Sequence, residues 1–465
     1  MTTVVWFRQD LRIGDNPALA AASRRGPVVP LYILDESRRP PGAASRWWLH
    51  HSLSSLGESL GGLVLRRGDP VRIVPQVAKA AGASLVVWNR CSEPDAIAGG
   101  EAVLAALDRS GIAAETFTGN LLHEPSEIAT QSGGPFKVYT PFWRACRARK
   151  VPPPLRAHKP ASVVALDSDT LASWKLPPQK PDWAAEWGQF WTPGEHGAHK
   201  RLDAFLRNDL KDYAAARDRP AARNTSLLSP HLHFGEISPR QVWARLAFAV
   251  DRPGLAQAAA KFEAELGWRE FCAHLLHHFP AIPTQNWRRD FDKFPWRRDA
   301  AALKVWQRGQ TGYPMVDAGM RELWHTGWMH NRVRMIAASF LVKHLRLHWR
   351  EGEAWFWDTL VDADLASNAG NWQWVAGSGA DAAPYFRIFN PMLQGAKFDP
   401  GGEYVRRWCP ELKKLPDKFI HAPFEADADT LARAGVTLGR DYPEPVVDHA
   451  QAREAALAAY RKITR

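Results

Sequence analysis

Residues 1–34 read MTTVVWFRQDLRIGDNPALAAASRRGPVVPLYIL, and this stretch decides the fold of the first part of the chain. TVVWF (3–7) and VVPLYIL (28–34) are apolar, β-branched runs with a helix-like stretch, Asn16–Ala22, between them. Outward from there the alternation continues through LVLRR (63–67), LVVWN (85–89) and AETFT (114–118), with helix-like segments at Ser45–Leu60, Val71–Ala81 and Pro94–Ser110. Strands alternating with helices predict parallel βαβ units. Strands apolar along almost their whole length are those covered on both faces. The expected fold of residues 1–125 is a doubly wound, Rossmann-like α/β domain. Such a sheet often takes a flat ligand beyond the carboxyl ends of its strands. No GxGxxG turn follows the first strand, so an ordinary dinucleotide site is not expected there.

Residues 126–195 are rich in proline and turn residues, including Pro152-Pro153-Pro154, and read as an interdomain linker. In 199–218, 260–279, 314–328 and 329–349 apolar positions recur at three- and four-residue steps. This predicts a large all-α domain over 196–465.

At 465 residues the chain is long enough for two or three domains with cores of their own. Lys and Arg outnumber Asp and Glu by 60 to 49, an excess that suits a polyanionic partner, nucleic acid ahead of a membrane surface. Of the 22 tryptophans only Trp6, Trp47, Trp48, Trp88, Trp143 and Trp174 precede residue 180. Many of these indoles must pack in cores, and a chain so rich in them can also stack on bases or on a flat cofactor. No apolar run reaches the roughly 18–20 residues of a membrane span, and the N-terminal residues lack the pattern of a secretory signal. Cys91, Cys146, Cys272 and Cys409 are scattered, which suggests neither a zinc ribbon nor a disulfide framework and fits a reducing cytoplasm.

Four constellations stand out. Thr225, Ser226, Leu227, Leu228 and Ser229 precede a helical segment, where free amides can hold phosphates; alone, an N-cap with turn chemistry is the stronger reading. Glu265, Trp268 and Arg269 share one helix face with Phe262 and could grip a planar ligand, although alone a surface ion pair beside a core indole is the plainer reading. Asn331 and Met335 share a face, with Arg332 and Arg334 between them, and a solvated basic face explains them slightly better. Asp362 and Asp364 cannot share a helix face, so a bend is expected, extended as an irregular segment by Asn368, Gly370 and Asn371. Paired carboxylates in a tryptophan-lined bend favour function over a plain loop. Nothing else sits at metal-ligand spacing, so no metal is expected.

Taken together, these blocks resemble the photolyase/cryptochrome family from end to end. VVWFRQDLRIGDNPAL (4–19) looks like its N-terminal signature. NTSLLSPHLHFGEISPRQVW (224–243), ELGWREF (265–271), TGYPMVDAGMRELWHTGWMHNRVRMIAASFLVK (311–343), WREGE (349–353) and DADLASNAGNWQWVAGSGADAAPYFRIFNP (362–391) look like its flavin domain. The resemblance implies an antenna-carrying α/β domain followed by an all-α domain that holds FAD in a U-shaped form.

The resemblance also assigns residues. Tyr213 and Thr225, Ser226, Leu227, Leu228 and Ser229 match the FAD-phosphate region. Glu265, Arg269, Trp328, Asn331, Arg334, Asp362, Asp364 and Asn368 match flavin-pocket positions, with Asn368 near flavin N5 and Arg334 and Asp362 as an ion pair beside the isoalloxazine. Trp372, Trp349 and Trp296 match a three-tryptophan wire that carries electrons inward from the surface. Glu265, Trp268, Asn331, Met335 and Trp374 match positions that meet a flipped pyrimidine dimer, and Arg217 and Arg332 match DNA-phosphate contacts.

The implied function is light-driven repair of cyclobutane pyrimidine dimers by reduced FAD, most like the bacterial enzymes. The alternatives are a cryptochrome-type photoreceptor and a (6-4) photolyase. Against the first stand Asn368, where plant-type cryptochromes carry aspartate, and a chain ending at Arg465 without a long extension; against the second stands the Asn331/Met335 pair in place of histidines. The implied antenna is methenyltetrahydrofolate, with a deazaflavin as the other option, near Ser45–Trp48 or Trp88–Glu93. The expected partner is UV-damaged DNA read without regard to sequence, with no membrane. The expected form is a monomer in the bacterial cytoplasm, at the nucleoid.

Overall fold

The computed structural model describes every residue except Arg38, Arg223, Asp251, Pro253, 383–385 and Arg465. Residues 383–385 of the block 362–391 therefore lie outside the described residues. By contacts the chain divides into two compact units. The first is Met1–Ala214 with Ser226–Pro280 and Val361–Ala366; the second is Ala215–Thr225, Ala281–Leu360 and Ser367–Arg465.

The first unit contains the expected sheet. Strands β1 (Thr3–Phe7), β2 (Val28–Leu34), β3 (Val64–Arg67), β4 (Leu85–Asn89) and β5 (Ala113–Phe117) are all parallel, in the order β3-β2-β1-β4-β5. Helices α1 (Pro17–Ser23), α2 (Ala43–Leu60), α3 (Pro70–Ala80) and α4 (Pro94–Arg109) alternate with the strands. Their starts follow local chemistry. Asn16 and Asp69 cap the amides of Leu19 and Val71, and Pro17, Pro70 and Pro94 occupy first-turn positions where a missing N–H costs nothing. Val4, Val29, Leu31, Val86 and Trp88 form the core between sheet and helices. The order reverses between β1 and β4, the switch point at which such sheets leave a crevice.

The loop after β1 explains why Ser226–Pro280 belongs with the sheet. Arg12 is fully buried and donates to the carbonyls of Asp15 and Gly235, both at 2.9 Å. Asp15 accepts from Ser238 Oγ at 2.5 Å and pairs with Arg240 at 3.0 Å. Gly235 sits at φ +67°, and a Cβ there would lie 1.9 Å from the Gln9 carbonyl, so the contact is open only to glycine. The contact pattern thus departs from boundaries at 125 and 195. Residues 126–195 are also packed: a helix over Tyr139–Arg147 buries Phe142, Trp143 and Cys146, and Val28 exchanges backbone hydrogen bonds with Ser162 and Val164.

The second unit is helical throughout, chiefly Ala300–Gln307, Pro314–Thr326, Asn331–Ser339, Trp349–Thr359 and Pro391–Phe398. Buried Asp317 ties it together, accepting from the Thr311 and Gly312 amides and the Tyr442 hydroxyl.

Three helical readings are corrected. The segment 329–349 is not one helix: it runs as Asn331–Ser339, widens into a π turn at Phe340–His344, and restarts at Trp349. Lys343 and His344 are buried within that turn, and Lys343 Nζ donates to the Ala376 carbonyl at 2.6 Å, so the polar face expected of a surface helix is absent. The segment 199–218 is likewise broken, by a π turn at Phe205–Asp209 and a 3-10 turn at Leu210–Asp212. The irregular segment expected beyond Asp364 is instead a helix, Leu365–Ala376. Its asparagines are spent on helical neighbours: Asn371 donates to the Ser367 carbonyl and Asn368 to Glu353, which removes their competition with the helix ladder.

Candidate functional site

In the first unit Leu227 adopts φ +51°, turning the chain just before the helix Ser229–His233. Arg201 Nε steadies the turn through the Ser226 carbonyl at 3.0 Å. The backbone amides of Ser226 and Leu227 donate to no group among the described residues. Open amides in a left-handed turn form a nest for an anion, which fits a cofactor's phosphate. Leu228 is buried beneath them, and Tyr213 is buried edge-on between Phe205 and Phe262. Ser229 Oγ donates to Asp362 Oδ2 at 2.6 Å, which aims that carboxylate from the turn Val361–Asp364 as expected.

The helix Ala256–His278 carries Glu265, Trp268 and Arg269, all half-buried. The guanidinium of Arg269 donates to the carbonyls of Asn120 at 2.8 Å and Leu232 at 3.4 Å, and lies 3.5 Å from Glu270. It is therefore a strut that clamps three segments, where the sequence alone suggested a surface ion pair with Glu265. Trp268 lies flat on Tyr139, with ring centroids 3.8 Å apart and planes 4° from parallel, so one of its faces is already covered. Glu270, which sequence reasoning passed over, is buried and accepts from the Leu122 and His123 amides. Burial pushes its carboxyl up to about 7, against the pull of Arg269 and the two amides.

Arg269 and Asp364 also line a small cleft with Gln9, Glu93, Asn120 and His233. Gln9 and Glu93 follow β1 and β4, so the cleft opens at the switch point of the sheet. Gln9 Nε2 donates to Glu93 Oε1 at 3.1 Å, and His233 lies 3.8 Å from Asp364. Burial and the nearby Asp364 raise the Glu93 carboxyl. No local pattern marks Gln9 or His233; only the pairing of β1 with β4 brings Gln9 to Glu93.

In the two regions expected to hold an antenna, Glu93 lines the cleft and the indoles are packed. Trp47, Trp48 and Trp88 are buried, Trp48 Nε1 donates to Glu236 Oε1 at 2.9 Å, and Arg46 pairs with Glu36 at 3.0 Å.

In the second unit Arg334 Nε donates to the Met329 carbonyl at 2.7 Å and its guanidinium lies over Trp328, 5.7 Å from the ring centre. Asn331 is exposed at the start of its helix, and Met335 is half-buried one turn on. Arg332 pairs with Asp218 at 3.0 Å and lies over Phe398, while Arg217 lies 3.9 Å from the same Asp218. The two cations expected at DNA phosphates are thus brought together by one carboxylate. Thr225 precedes the turn and belongs to this unit.

Asn368 is buried and donates from Nδ2 to both the carbonyl and the carboxylate of Glu353, at 3.0 and 2.9 Å. This pins the amide and leaves its oxygen as the end available to a ligand N–H. Trp374 Nε1 donates to the Asp381 carbonyl at 3.0 Å. Trp372 is buried with its ring against Trp306 and Phe356, and Gly352 makes room for it: a Cβ there would lie 2.0 Å from the indole. Trp349 is fully buried and donates to Asn286 Oδ1 at 2.8 Å, and Trp296 is half-buried. Of the three, Trp372 and Trp349 are buried and Trp296 is half-buried. Among the described residues no cluster of His, Cys, Asp and Glu could hold a metal, and no helix is long and apolar enough to cross a membrane.

Comparison with known proteins agrees with this layout. Residues 3–161 match the family model described as DNA photolyase, and 262–462 match the FAD binding domain of DNA photolyase. A deoxyribodipyrimidine photo-lyase of Agrobacterium fabrum is 55% identical over 99% of this chain and 98% of its own. Cryptochrome-2 of Arabidopsis thaliana is 40% identical over 98% of this chain and 78% of its own. The crystal structure of a bacterial class III photolyase from Agrobacterium tumefaciens superposes with a TM-score of 0.97 at 54% identity, covering 100% of this chain and 98% of that one. With a five-stranded parallel sheet, a helical FAD-binding region and end-to-end similarity of this extent, the chain belongs to the photolyase/cryptochrome family.

Proposed function

We propose that this chain is a light-driven DNA repair enzyme that splits cyclobutane pyrimidine dimers. The observation that carries the reading is the match, end to end, to a deoxyribodipyrimidine photo-lyase. FAD, held fully reduced, supplies one electron to the dimer under blue light and takes it back once the two inter-base bonds have split.

The residues of this chain do the rest. The Ser226 and Leu227 amides, with Thr225, Leu228 and Ser229 beside them, hold the cofactor's phosphates, and Tyr213 packs behind that region. In this reading Arg269, Asp362, Asp364, Trp328, Asn331, Arg334 and Asn368 face the flavin, with Arg334 and Asp362 as the expected pair beside the ring. Asn368, locked by Glu353, keeps a neutral acceptor where an aspartate would bring charge and a proton. Arg217 and Arg332 meet the DNA backbone, which positions the protein without reading sequence. The lesion is poorly stacked, so turning it out of the helix costs less than turning out a normal pair. Trp268 and Trp374 then flank the dimer and exclude water, Met335 and Asn331 contact its pyrimidine edges, and Glu265 hydrogen-bonds a carbonyl edge. Trp372, Trp349 and Trp296 return electrons to a flavin that has become oxidised.

Methenyltetrahydrofolate is the proposed antenna of the first unit, ahead of a deazaflavin. The protein acts as a monomer on UV-damaged DNA in the cytoplasm, at the nucleoid. The photoreceptor and (6-4) readings are weaker, on Asn368 and on Asn331 with Met335 respectively.

The test is blue-light illumination of the photoreduced protein with a thymine-dimer oligonucleotide and, in parallel, a (6-4) one. Recovery of intact thymine absorbance on the dimer alone is expected. No recovery on either lesion overturns the reading, and recovery on the (6-4) lesion alone reassigns the substrate. The absorption spectrum of the same sample identifies the antenna.

A further inference from the structure

His348 occupies an unusual place. Its ring centre lies 5.0 Å from that of Trp296 and 5.6 Å from that of Trp349. It caps the helix Trp349–Thr359, its Nδ1 accepting from the Arg350 amide at 3.1 Å. Trp349 has its indole N–H on Asn286, but the Trp296 indole N–H is buried with no acceptor among the described residues. The Trp296 N–H therefore has no hydrogen-bonded acceptor among the described residues to take its proton. What lies against both rings is one imidazole.

We propose that the imidazole of His348 is the stepping contact between Trp349 and Trp296, holding the two indoles in register. This rests on the photolyase reading, in which these indoles feed electrons inward. The step is a single-electron exchange. Trp349, oxidised by loss of an electron toward the flavin, is restored by one electron from Trp296, and the oxidised Trp296 is restored by a dissolved thiol. Two thiols so oxidised join as a disulfide and release their protons. Burial, with the neighbouring Arg350 adding to it and Asp292 opposing it, holds the imidazole down at about 4, so it is uncharged at neutral pH. Arg350 already sets a guanidinium 5.6 Å from the Trp349 ring centre, and a second fixed cation, at position 348 against both indoles, would add to its repulsion of the positive charge that must pass.

His348 is a positioning residue, and three variants separate its ring, its charge and its cap. His348→Phe keeps a flat uncharged ring and loses the cap. His348→Asn keeps a capping side chain and loses the ring. His348→Lys brings a permanent charge. The measurement is the rate at which thiol and blue light reduce the oxidised holoprotein, with the lifetime of the oxidised indoles read by transient absorption. His348→Lys is expected to slow reduction at least roughly tenfold, and His348→Asn roughly threefold, while His348→Phe stays within about twofold of the parent.

A purely structural cap predicts the opposite order for Phe and Asn, and that order, or a lysine variant as fast as the parent, overturns the proposal. Repair by chemically reduced parent protein is measured alongside. If the parent does not repair, the photolyase reading fails. If the parent repairs and the variants do not follow the expected order, only the role of His348 fails.

Discussion

Two turns in the first unit are built from similar residues and end in opposite states. The loop after β1 buries Arg12, Asp15 and Asn16, and the side chains of all three are met by partners within the protein. The turn at Ser226–Leu227 leaves its amides open. Both contain polar groups in motif-like sequence, yet the first holds the chain together and the second awaits a ligand. Satisfaction separates them: a buried polar group whose partners are all internal is structural, and one that lacks them points outward to chemistry.

Four measurements break or sharpen this contrast. The largest effect is expected from Arg12→Ala, which leaves the buried carbonyls of Asp15, Gly119 and Gly235 without their donor; unfolding by denaturant should show a loss of about 3–5 kcal/mol. A stability near the parent's would mean that water takes over the network. Next is Glu270. Its folded value of about 7 lies above the ordinary 4.5, so the folded form binds the proton more tightly. The stability this contributes is fully present below about 4.5 and is lost as pH rises through about 7, at most roughly 3 kcal/mol. Glu270→Gln should flatten that part of the profile of unfolding free energy against pH.

Asp362→Asn sits on the other side of the contrast. It should weaken flavin retention roughly tenfold, by the loss of a charge-assisted hydrogen bond, and move the thermal midpoint of the flavin-free protein little. Flavin released on dialysis reports it, and a large fall in the midpoint with flavin retained would place Asp362 with Arg12. The smallest effect is Arg332→Ala. The slope of log affinity for dimer-containing DNA against log salt should fall by about 0.9, one phosphate's share. An unchanged slope would leave Arg332 as Asp218's partner and nothing more.

Much of this was legible in the sequence, for identifiable reasons. The strands could be read because both faces of β1, β2 and β4 are covered, which makes them apolar throughout. The site residues on helices could be placed because whole blocks resemble a known pattern. Periodicity failed where burial removes the polar face: Lys343 and His344 look like the exposed side of a helix and are buried in a π turn. Turn chemistry misled at Asn368 and Asn371, whose amides are committed to partners only the fold supplies. The cleft of Gln9, Glu93 and His233 was invisible because long stretches of chain separate its members, and nothing local marks them.

The Asp218 carboxylate, which pairs with Arg332 and lies near Arg217, has a kinetic consequence. Long cations that sample many rotamers in water must be ordered when they grip a ligand, and that ordering slows capture and weakens binding. Here the ordering is done at folding, so the pair arrives at a phosphate with its conformation already chosen. A phosphate must also displace Asp218, and the same carboxylate stands ready to reclaim both side chains. If Arg217 and Arg332 meet DNA phosphates as proposed, an internal competitor of this kind shortens residence on DNA and favours departure from a strand once nothing on it remains to be repaired.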